Sequence, residues 1–144
     1  MSPIPYSSTG KRILATVVDY SIIFGFFFWF VFSFGAPNAD EVTEVKGMPA
    51  LIPVGFWLCY LILPEGLTGQ TLGHSLAGIK VTRLDGGPVH FSQALRRHLA
   101  DVVEITWCFG LIAFVLVKNN THHQRLGDIW ANTVVIRKDH SMRD

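Results

Sequence analysis

Three apolar runs separated by polar segments dominate the hydrophobic pattern of this chain. The first run, residues 13–34, reads ILATVVDYSIIFGFFFWFVFSF and has one charged residue in its 22 positions. Since a bilayer core of about 30 Å needs roughly 20 apolar residues in a helix, this run is predicted to span a membrane. A cleaved signal peptide would have an apolar region of only about 7–15 residues, so we reject that interpretation.

The second apolar run, residues 48–64, carries Pro49 and Pro53 near its start, where a helix tolerates proline best. Its apolar part, residues 48–63, would be about 24 Å long as a helix at about 1.5 Å per residue. That length is short for a bilayer. We therefore expect the helix to continue past Pro64, or the bilayer to thin locally.

The third apolar run, residues 99–117, is less uniform, because Asp101 and Glu104 lie near its start. Two arrangements of residues 92–117 remain open. They form either one membrane helix or a bent or re-entrant hairpin that turns near Phe109-Gly110.

Alternation of apolar and polar residues indicates a small sheet outside the membrane. Residues 79–84 read IKVTRL, the triplet DGG follows as a turn signal, and residues 88–91 are predicted to return as a short strand. Residues 133–138, TVVIRK, are a third strand candidate, expected to pair with IKVTRL. The predicted fold class is a mainly α-helical membrane protein with three to four transmembrane or re-entrant helices and a small cytoplasmic β-hairpin or sheet.

Loop charges predict the orientation, because lysine and arginine favour the cytoplasmic side of a membrane. Lys11 and Arg12 precede the first helix, whereas the loop of residues 35–47 carries three acidic residues and one lysine. The segment 65–98 and the tail 118–144 are both basic. We therefore predict a membrane protein with both termini in the cytoplasm. A cytoplasmic tail favours the hairpin arrangement of the third run.

Composition agrees with one membrane domain. The chain has 144 residues, of which 49% are hydrophobic and 16% charged, against about 25% charged in soluble proteins. A net charge of +1 gives no indication of a nucleic-acid surface. Cys59 and Cys108 lie inside apolar runs, and we predict small buried hydrophobes rather than a disulfide or a metal pair.

Ionisable residues inside the apolar segments are the candidate functional residues, because each is costly in a membrane and needs a partner or a purpose. They recur at helical spacing, so that each stripe lies on one face of a helix. Two interpretations remain open: structural ion pairs, such as Arg97 with Asp101 at i, i+4, or a polar path for protons or cations. The candidates are Arg12 and Asp19 in the first stripe, Arg97, Asp101 and Glu104 in the second, and Asp128 in the third.

Two expectations follow for these charges. An unpaired aspartate in the bilayer costs about 3 kcal/mol on translocon scales, so Arg12, Asp19 and Asp128 are predicted to converge near the cytoplasmic membrane boundary. If the protein moves protons, one carboxylate must bind and release them, and the candidates are Asp19, Asp101 and Glu104.

The remaining motifs give little support for an enzyme. His122 and His123 are adjacent and point in different directions, so a solvated pair is preferred to a metal site. Residues 69–78, GQTLGHSLAG, lack the G-K-[ST] ending of a phosphate loop. No serine, cysteine or histidine sits in a recognisable nucleophile arrangement. We predict neither enzymatic activity nor a cofactor.

Three sequence blocks resemble the RDD family of small bacterial membrane proteins. They are KRILATVVDYSI at 11–22, GQTLGHSLAGIKVTRLDGGPVHFSQALRRHLADVVE at 69–104, and HQRLGDIWANTVVIRK at 123–138. By this resemblance, Arg12, Asp19 and Asp128 are the arginine and two aspartates that name the family. The resemblance also implies a location in the bacterial inner membrane. One departure is His74, where the family usually has lysine or arginine.

The resemblance implies two alternative functions. Some members of the family look like cation/proton antiporters, which implies an oligomer that exchanges protons for monovalent cations. The oligomer is expected because three or four short membrane segments are few for enclosing a polar path. Other members are linked to larger membrane assemblies, which implies a non-catalytic accessory or scaffold subunit. Paired carboxylates in a dry interface would favour the second alternative.

Overall fold

Two long apolar helices, α1 and α2, form the main body of the structure. The computed structural model describes residues 5–38, 40, 42–108 and 124–138, with side chains for all of these except 105–108. Helix α1 spans Thr9–Phe34 and α2 spans Met48–Thr68, and both are long and apolar enough to cross a membrane. Only 17% of the apolar window of each helix is buried. Such exposure of apolar side chains is typical of helices that face lipid.

Helix α1 begins at Thr9, four residues before the predicted start, and ends at Phe34. Ser8 takes the extended N-cap conformation. The first turn after it is polar, so the apolar run in the sequence does not include it. The face that α1 buries carries Arg12, Ala15 and Asp19. This is the predicted polar stripe.

Helix α2 contains a local widening in front of a proline. A 3-10 turn, Met48–Leu51, leads into an α-helical segment, Ile52–Trp57. A π-helical segment, Leu58–Ile62, and a second α-helical segment, Leu63–Thr68, complete the helix. A proline ring clashes with the carbonyl four residues earlier and cannot donate to it, which favours a wide turn before Pro64. The expected continuation past Pro64 is therefore present.

Within its described residues, the second half of the chain forms three further helices and a two-stranded sheet. Helix α3 is Leu72–Leu76, α4 is Phe91–Cys108 and α5 is Leu126–Ala131. Strand β3, Ile79–Arg83, pairs antiparallel with β4, Thr133–Arg137. In the loop after α1, the short strands β1, Ala36–Pro37, and β2, Thr43–Glu44, also pair antiparallel.

The sheet confirms one strand prediction and corrects another. The predicted pairing of TVVIRK with IKVTRL is present, with Val81 opposite Val135. The predicted hairpin over residues 79–91 is wrong, because residues 88–90 form no strand and Phe91 already begins α4. Pro88 has no N–H for a ladder. On its other side, β3 donates from Val81 N to Gly69 O, at 2.8 Å.

The N-terminal segment lies against β4 and ties the two ends of the described chain together. Tyr6 forms a bridge with Ile136, Ser7 N donates to Val135 O, and Arg137 N donates to Pro5 O, each at 3.0 Å. The start of α1 and the end of β4 therefore lie at the same end of the molecule.

A small apolar core lies where α1, the end of α2, the sheet and α4 meet. Its buried members are Ala15, Leu61, Ile62, Ala77, Ile79, Val81, Val89, Ala94 and Val135. Cys59 does not belong to it: contrary to the prediction of a buried hydrophobe, its side chain is free and exposed. The predicted turn near Phe109-Gly110 lies outside the described residues.

Candidate functional site

Beside the apolar core, α1, α2, α4 and α5 bury a network of ionised side chains. Asp128 is its centre, because it lies in the first turn of α5 with no exposed surface. Arg12 of α1 donates from Nη1 to Asp128 Oδ2 at 3.0 Å, and Arg97 of α4 donates to Asp128 Oδ1. The backbone N–H of Arg125, the N-cap of α5, also donates to Asp128 Oδ2, at 3.2 Å. A carboxylate in this position also complements the positive end of the helix dipole.

Arg97 links this centre to the second membrane helix. Its Nε donates to Oε1 of Glu65 at 2.6 Å, and both side chains are fully buried. Glu65 Oε2 lies 3.2 Å from Nε2 of His98, a contact that lacks hydrogen-bond geometry. Arg97 Nη2 has no hydrogen-bond partner among the described residues.

Asp101 joins the network from the next turn of α4. Arg125 Nη1 lies 2.8 Å from Asp101 Oδ1, and Nδ1 of His98 lies 2.9 Å from Asp101 Oδ2. The hydroxyl of Tyr20 donates to the same Oδ2 at 3.1 Å. The predicted i, i+4 pair of Arg97 with Asp101 is therefore wrong. The two residues share a helix face, but each contacts partners on other elements.

Three arginines and three carboxylates thus pair with one another inside the molecule. The arginines are Arg12, Arg97 and Arg125, and the carboxylates are Glu65, Asp101 and Asp128. Because removal of one partner leaves a buried charge uncompensated, such a network fixes the packing of the helices that supply it.

Asp19 lies outside this network, bound by neutral groups. Thr71 donates from Oγ1 to Asp19 Oδ2 at 2.5 Å, and Gly73 N donates to Oδ1 at 2.8 Å. The Tyr60 hydroxyl donates to Oδ1 at 3.3 Å. Asp19 is 3% exposed and has no lysine, arginine or histidine in ion-pair contact within the described residues. The predicted convergence therefore holds for Arg12 with Asp128, whereas Asp19 is bound instead at the start of α3.

Glu104 is the second buried carboxylate without a cation partner in the described part of the chain. Its Oε1 accepts from the backbone N–H of Leu126 at 2.9 Å, at the start of α5. Its side chain is buried. Of the six candidates from the sequence, Asp19 and Glu104 are thus the two held by neutral donors.

His74 is a buried histidine that the sequence marked only as a departure from the family. Its Nδ1 lies 2.6 Å from Thr71 Oγ1, and its backbone N–H donates to the same oxygen at 3.2 Å. Burial lowers the pKa of His74 to about 3; Glu65 opposes this, and the positive charge of Arg97 adds to it. The ring is therefore neutral at physiological pH.

Sequence reasoning missed several partners of these charges. Glu65 and His98 were counted only as the ends of the basic segment 65–98, and Tyr20 and Tyr60 were assigned to apolar runs. A charged residue one position after Pro64 is a signal for Glu65, because the helix was expected to continue there. Within the described residues, no group of three or more His, Cys, Asp or Glu side chains could hold a metal ion. His122 and His123 lie outside the described residues.

These features define a small helical membrane protein whose lipid-facing helices enclose a buried network of ion pairs. The RDD family model matches residues 6–132, so the chain belongs to the RDD family. Searches of curated proteins and of solved structures found no match.

Proposed function

We propose that this RDD-family protein exchanges protons for a monovalent cation across the bacterial inner membrane, with Asp19 as the proton-binding carboxylate. The observation that supports it is the environment of Asp19. This aspartate is buried in a membrane helix, and only neutral donors bind it within the described residues. A carboxylate held in this way needs a proton or a cation to neutralise it, whereas one locked to arginine does not.

The ion network supports this assignment by narrowing the candidates. Asp101 and Asp128 each contact an arginine, so they keep their charge and serve as a fixed frame. Glu104 accepts a single backbone hydrogen bond and is the second candidate. The six candidate residues thus divide into four that form the fixed frame, Arg12, Arg97, Asp101 and Asp128, and two exchangeable carboxylates, Asp19 and Glu104.

The proposed orientation places both termini in the cytoplasm. Pairing of the N-terminal segment with β4 supports it, because adjacent strands lie on one side of a membrane. Lys11, Lys80 and Lys138 near this end agree with the rule that cytoplasmic segments are rich in lysine and arginine. A homo-oligomer would supply the additional walls that a polar path requires.

The test is proton flux in liposomes that contain only this protein. Vesicles loaded with a pH-sensitive dye receive external Na⁺ or K⁺, and the internal pH is followed. We expect cation-driven alkalinisation by the unmodified protein and its loss in Asp19→Asn. Glu104→Gln tests the second candidate. Asp85→Asn is the matched control, because Asp85 is an exposed turn residue, and its flux should equal that of the unmodified protein.

A second candidate function is favoured by the buried, paired network itself. Glu65, Asp101 and Asp128 are fully buried and paired, which is the arrangement expected for a structural, accessory subunit of a larger membrane complex. Purification from native membranes in a mild detergent distinguishes the two. A stoichiometric larger partner together with flux-free vesicles would support the accessory role and contradict exchange.

A further inference from the structure

Hydrogen bonds connect three side chains between the segment of residues 69–78 and the first membrane helix, α1. The Thr71 hydroxyl lies 2.6 Å from Nδ1 of His74 on one side and 2.5 Å from Oδ2 of Asp19 on the other. All three residues are buried, and His74 retains 9% of its surface. The segment 69–78, which carries Thr71 and His74, therefore contacts the carboxylate of Asp19 in α1 directly.

The hydrogen-bond capacity of Thr71 determines which group donates and which accepts in each of these hydrogen bonds. A threonine hydroxyl has one hydrogen to donate and two lone pairs to accept with. The hydrogen is donated to Asp19, so one lone pair accepts the backbone N–H of His74 and the other accepts from the ring. A neutral His74 must then carry its hydrogen on Nδ1, which leaves Nε2 as the free acceptor.

We propose that His74, Thr71 and Asp19 form a proton relay, in which the proton that Asp19 exchanges passes between the imidazole ring and the carboxylate through the Thr71 hydroxyl. This inference rests on the proposed function and deepens it, because it names the route by which a proton passes between Asp19 and the segment 69–78. An imidazole at this position can receive a proton on one nitrogen and release another from the second.

The transfer conserves protons at each atom. A proton from water binds Nε2 of His74 and makes the ring an imidazolium. The Nδ1 proton moves to Thr71 Oγ1 as the hydroxyl proton moves to Oδ2 of Asp19, which leaves a neutral ring and a neutral carboxylic acid. After Asp19 releases its proton to the exchange path, the hydroxyl rotates back. The ring then regains its Nδ1–H form by proton exchange with water.

The charges around His74 favour transfer of the proton to Asp19 over its retention on the imidazole ring. His74 faces Glu65 of α2, Arg97 and His98 of α4, and Arg125 at the start of α5. Asp19 faces the hydroxyl of Tyr60 and, at longer range, His98. Because burial and these cations disfavour a charged ring, His74 does not retain the proton and passes it on.

The experiment measures initial flux and its pH profile in the same vesicles. His74→Gln keeps a hydrogen-bonding side chain but cannot relay, so we expect its flux to fall about 100-fold, a typical effect of losing a proton-transfer group. Thr71→Val should lose flux similarly, and Thr71→Ser should retain it. In His74→Ala, added imidazole buffer should restore flux in proportion to its concentration. His90→Gln, at an exposed histidine, is the matched control and should leave the flux unchanged.

Each outcome decides between the relay, the exchange and a structural role. All variants are first checked for a monodisperse folded peak in detergent. No cation-driven flux in the unmodified protein overturns the exchange, and the relay with it. Flux that is lost in Asp19→Asn but intact in His74→Gln and Thr71→Val overturns the relay alone. A His74→Ala defect that imidazole does not restore assigns His74 a structural role and likewise overturns the relay.

Discussion

Asp128 lies between two buried arginines that belong to different helices. Arg12 comes from α1 and Arg97 from α4, so one carboxylate neutralises charges supplied by two elements. The position also satisfies the N–H of Arg125 at the start of α5. At the scale of single residues, the fold therefore depends on charged side chains, and removal of any one of them leaves a buried charge without its partner.

Replacement of Asp128 by asparagine should strongly destabilise the protein. The amide keeps the size of the side chain but leaves the charges of Arg12 and Arg97 undercompensated, and breaking a buried pair costs about 3–5 kcal/mol. Unfolding by a graded denaturing detergent measures the change. Asp85→Asn, which removes an exposed pair with Arg83, is the control and should change little. Equal stability of the two variants would show that the network does not hold the helices.

His74 gives a pH dependence whose sign can be worked out. Burial lowers its pKa to about 3 in the folded protein, against about 6.5 in the unfolded chain. Below pH 6.5 the unfolded chain binds a proton that the folded protein does not, so stability falls as the pH drops, by up to about 1.4 kcal/mol per pH unit. Between pH 6.5 and 5, His74→Gln should therefore lose less stability than the unmodified protein. Parallel stability curves for the two proteins would contradict a neutral, buried His74.

At the scale of elements, composition predicts the membrane helices, but it does not predict which elements the polar helices and strands contact. An apolar run of about 20 residues has few alternatives to a membrane span, so residues 13–34 and 48–64 indicated α1 and α2 directly. The DGG triplet predicted a turn correctly, since Gly86 has a φ of 82°, but a turn signal does not specify the strand that follows. Strand β3 pairs with β4, some 50 residues away, a pairing that the alternation in IKVTRL motivated.

The same limit applies to the candidate site. Spacing along one helix placed Arg97 and Asp101 on a common face correctly, yet their partners are Glu65, Asp128 and Arg125. Contacts between helices are decided by packing, which a single sequence does not contain. Gly73 is an example, because the approach of α3 to α1 depends on its missing side chain.

Gly73→Ala should separate α3 from α1. A Cβ at this position would overlap the carbonyl oxygen of Ala15 and lie 2.7 Å from Oδ2 of Asp19. Overpacking of this kind costs about 1–3 kcal/mol, and displacement of α3 would also weaken the Gly73 N–H bond to Asp19. Thermal unfolding in detergent tests this. Gly25→Ala in α1 is the control, because nothing lies within 4 Å of its added Cβ, and its melting temperature should not fall.

At the scale of the whole molecule, the two ends of the chain are brought together by backbone hydrogen bonds. Pro5, Tyr6 and Ser7 lie along β4, while Arg12, one turn into α1, reaches Asp128 just before the same strand. The N-terminal segment, β3 and β4 thus form one cap at one end of α1. The loop with β1 and β2 lies at the opposite end of that helix, 26 residues away along α1.

This arrangement predicts which positions share a side of the membrane. In a variant with Cys59 and Cys108 replaced by alanine, single cysteines at the exposed positions Ser8, Leu84 and Asp40 would be tested with a membrane-impermeant maleimide. In intact cells stripped of their outer membrane, Asp40→Cys should react, whereas Ser8→Cys and Leu84→Cys should react only after the membrane is opened. The physical reason is that a 26-residue helix, about 39 Å long at about 1.5 Å per residue, separates Ser8 from the loop that holds Asp40. Reaction of Ser8→Cys and Asp40→Cys from the same side would mean that α1 does not cross the bilayer, and reaction of Ser8→Cys and Leu84→Cys from opposite sides would contradict the cap that β3, β4 and the N-terminal segment form.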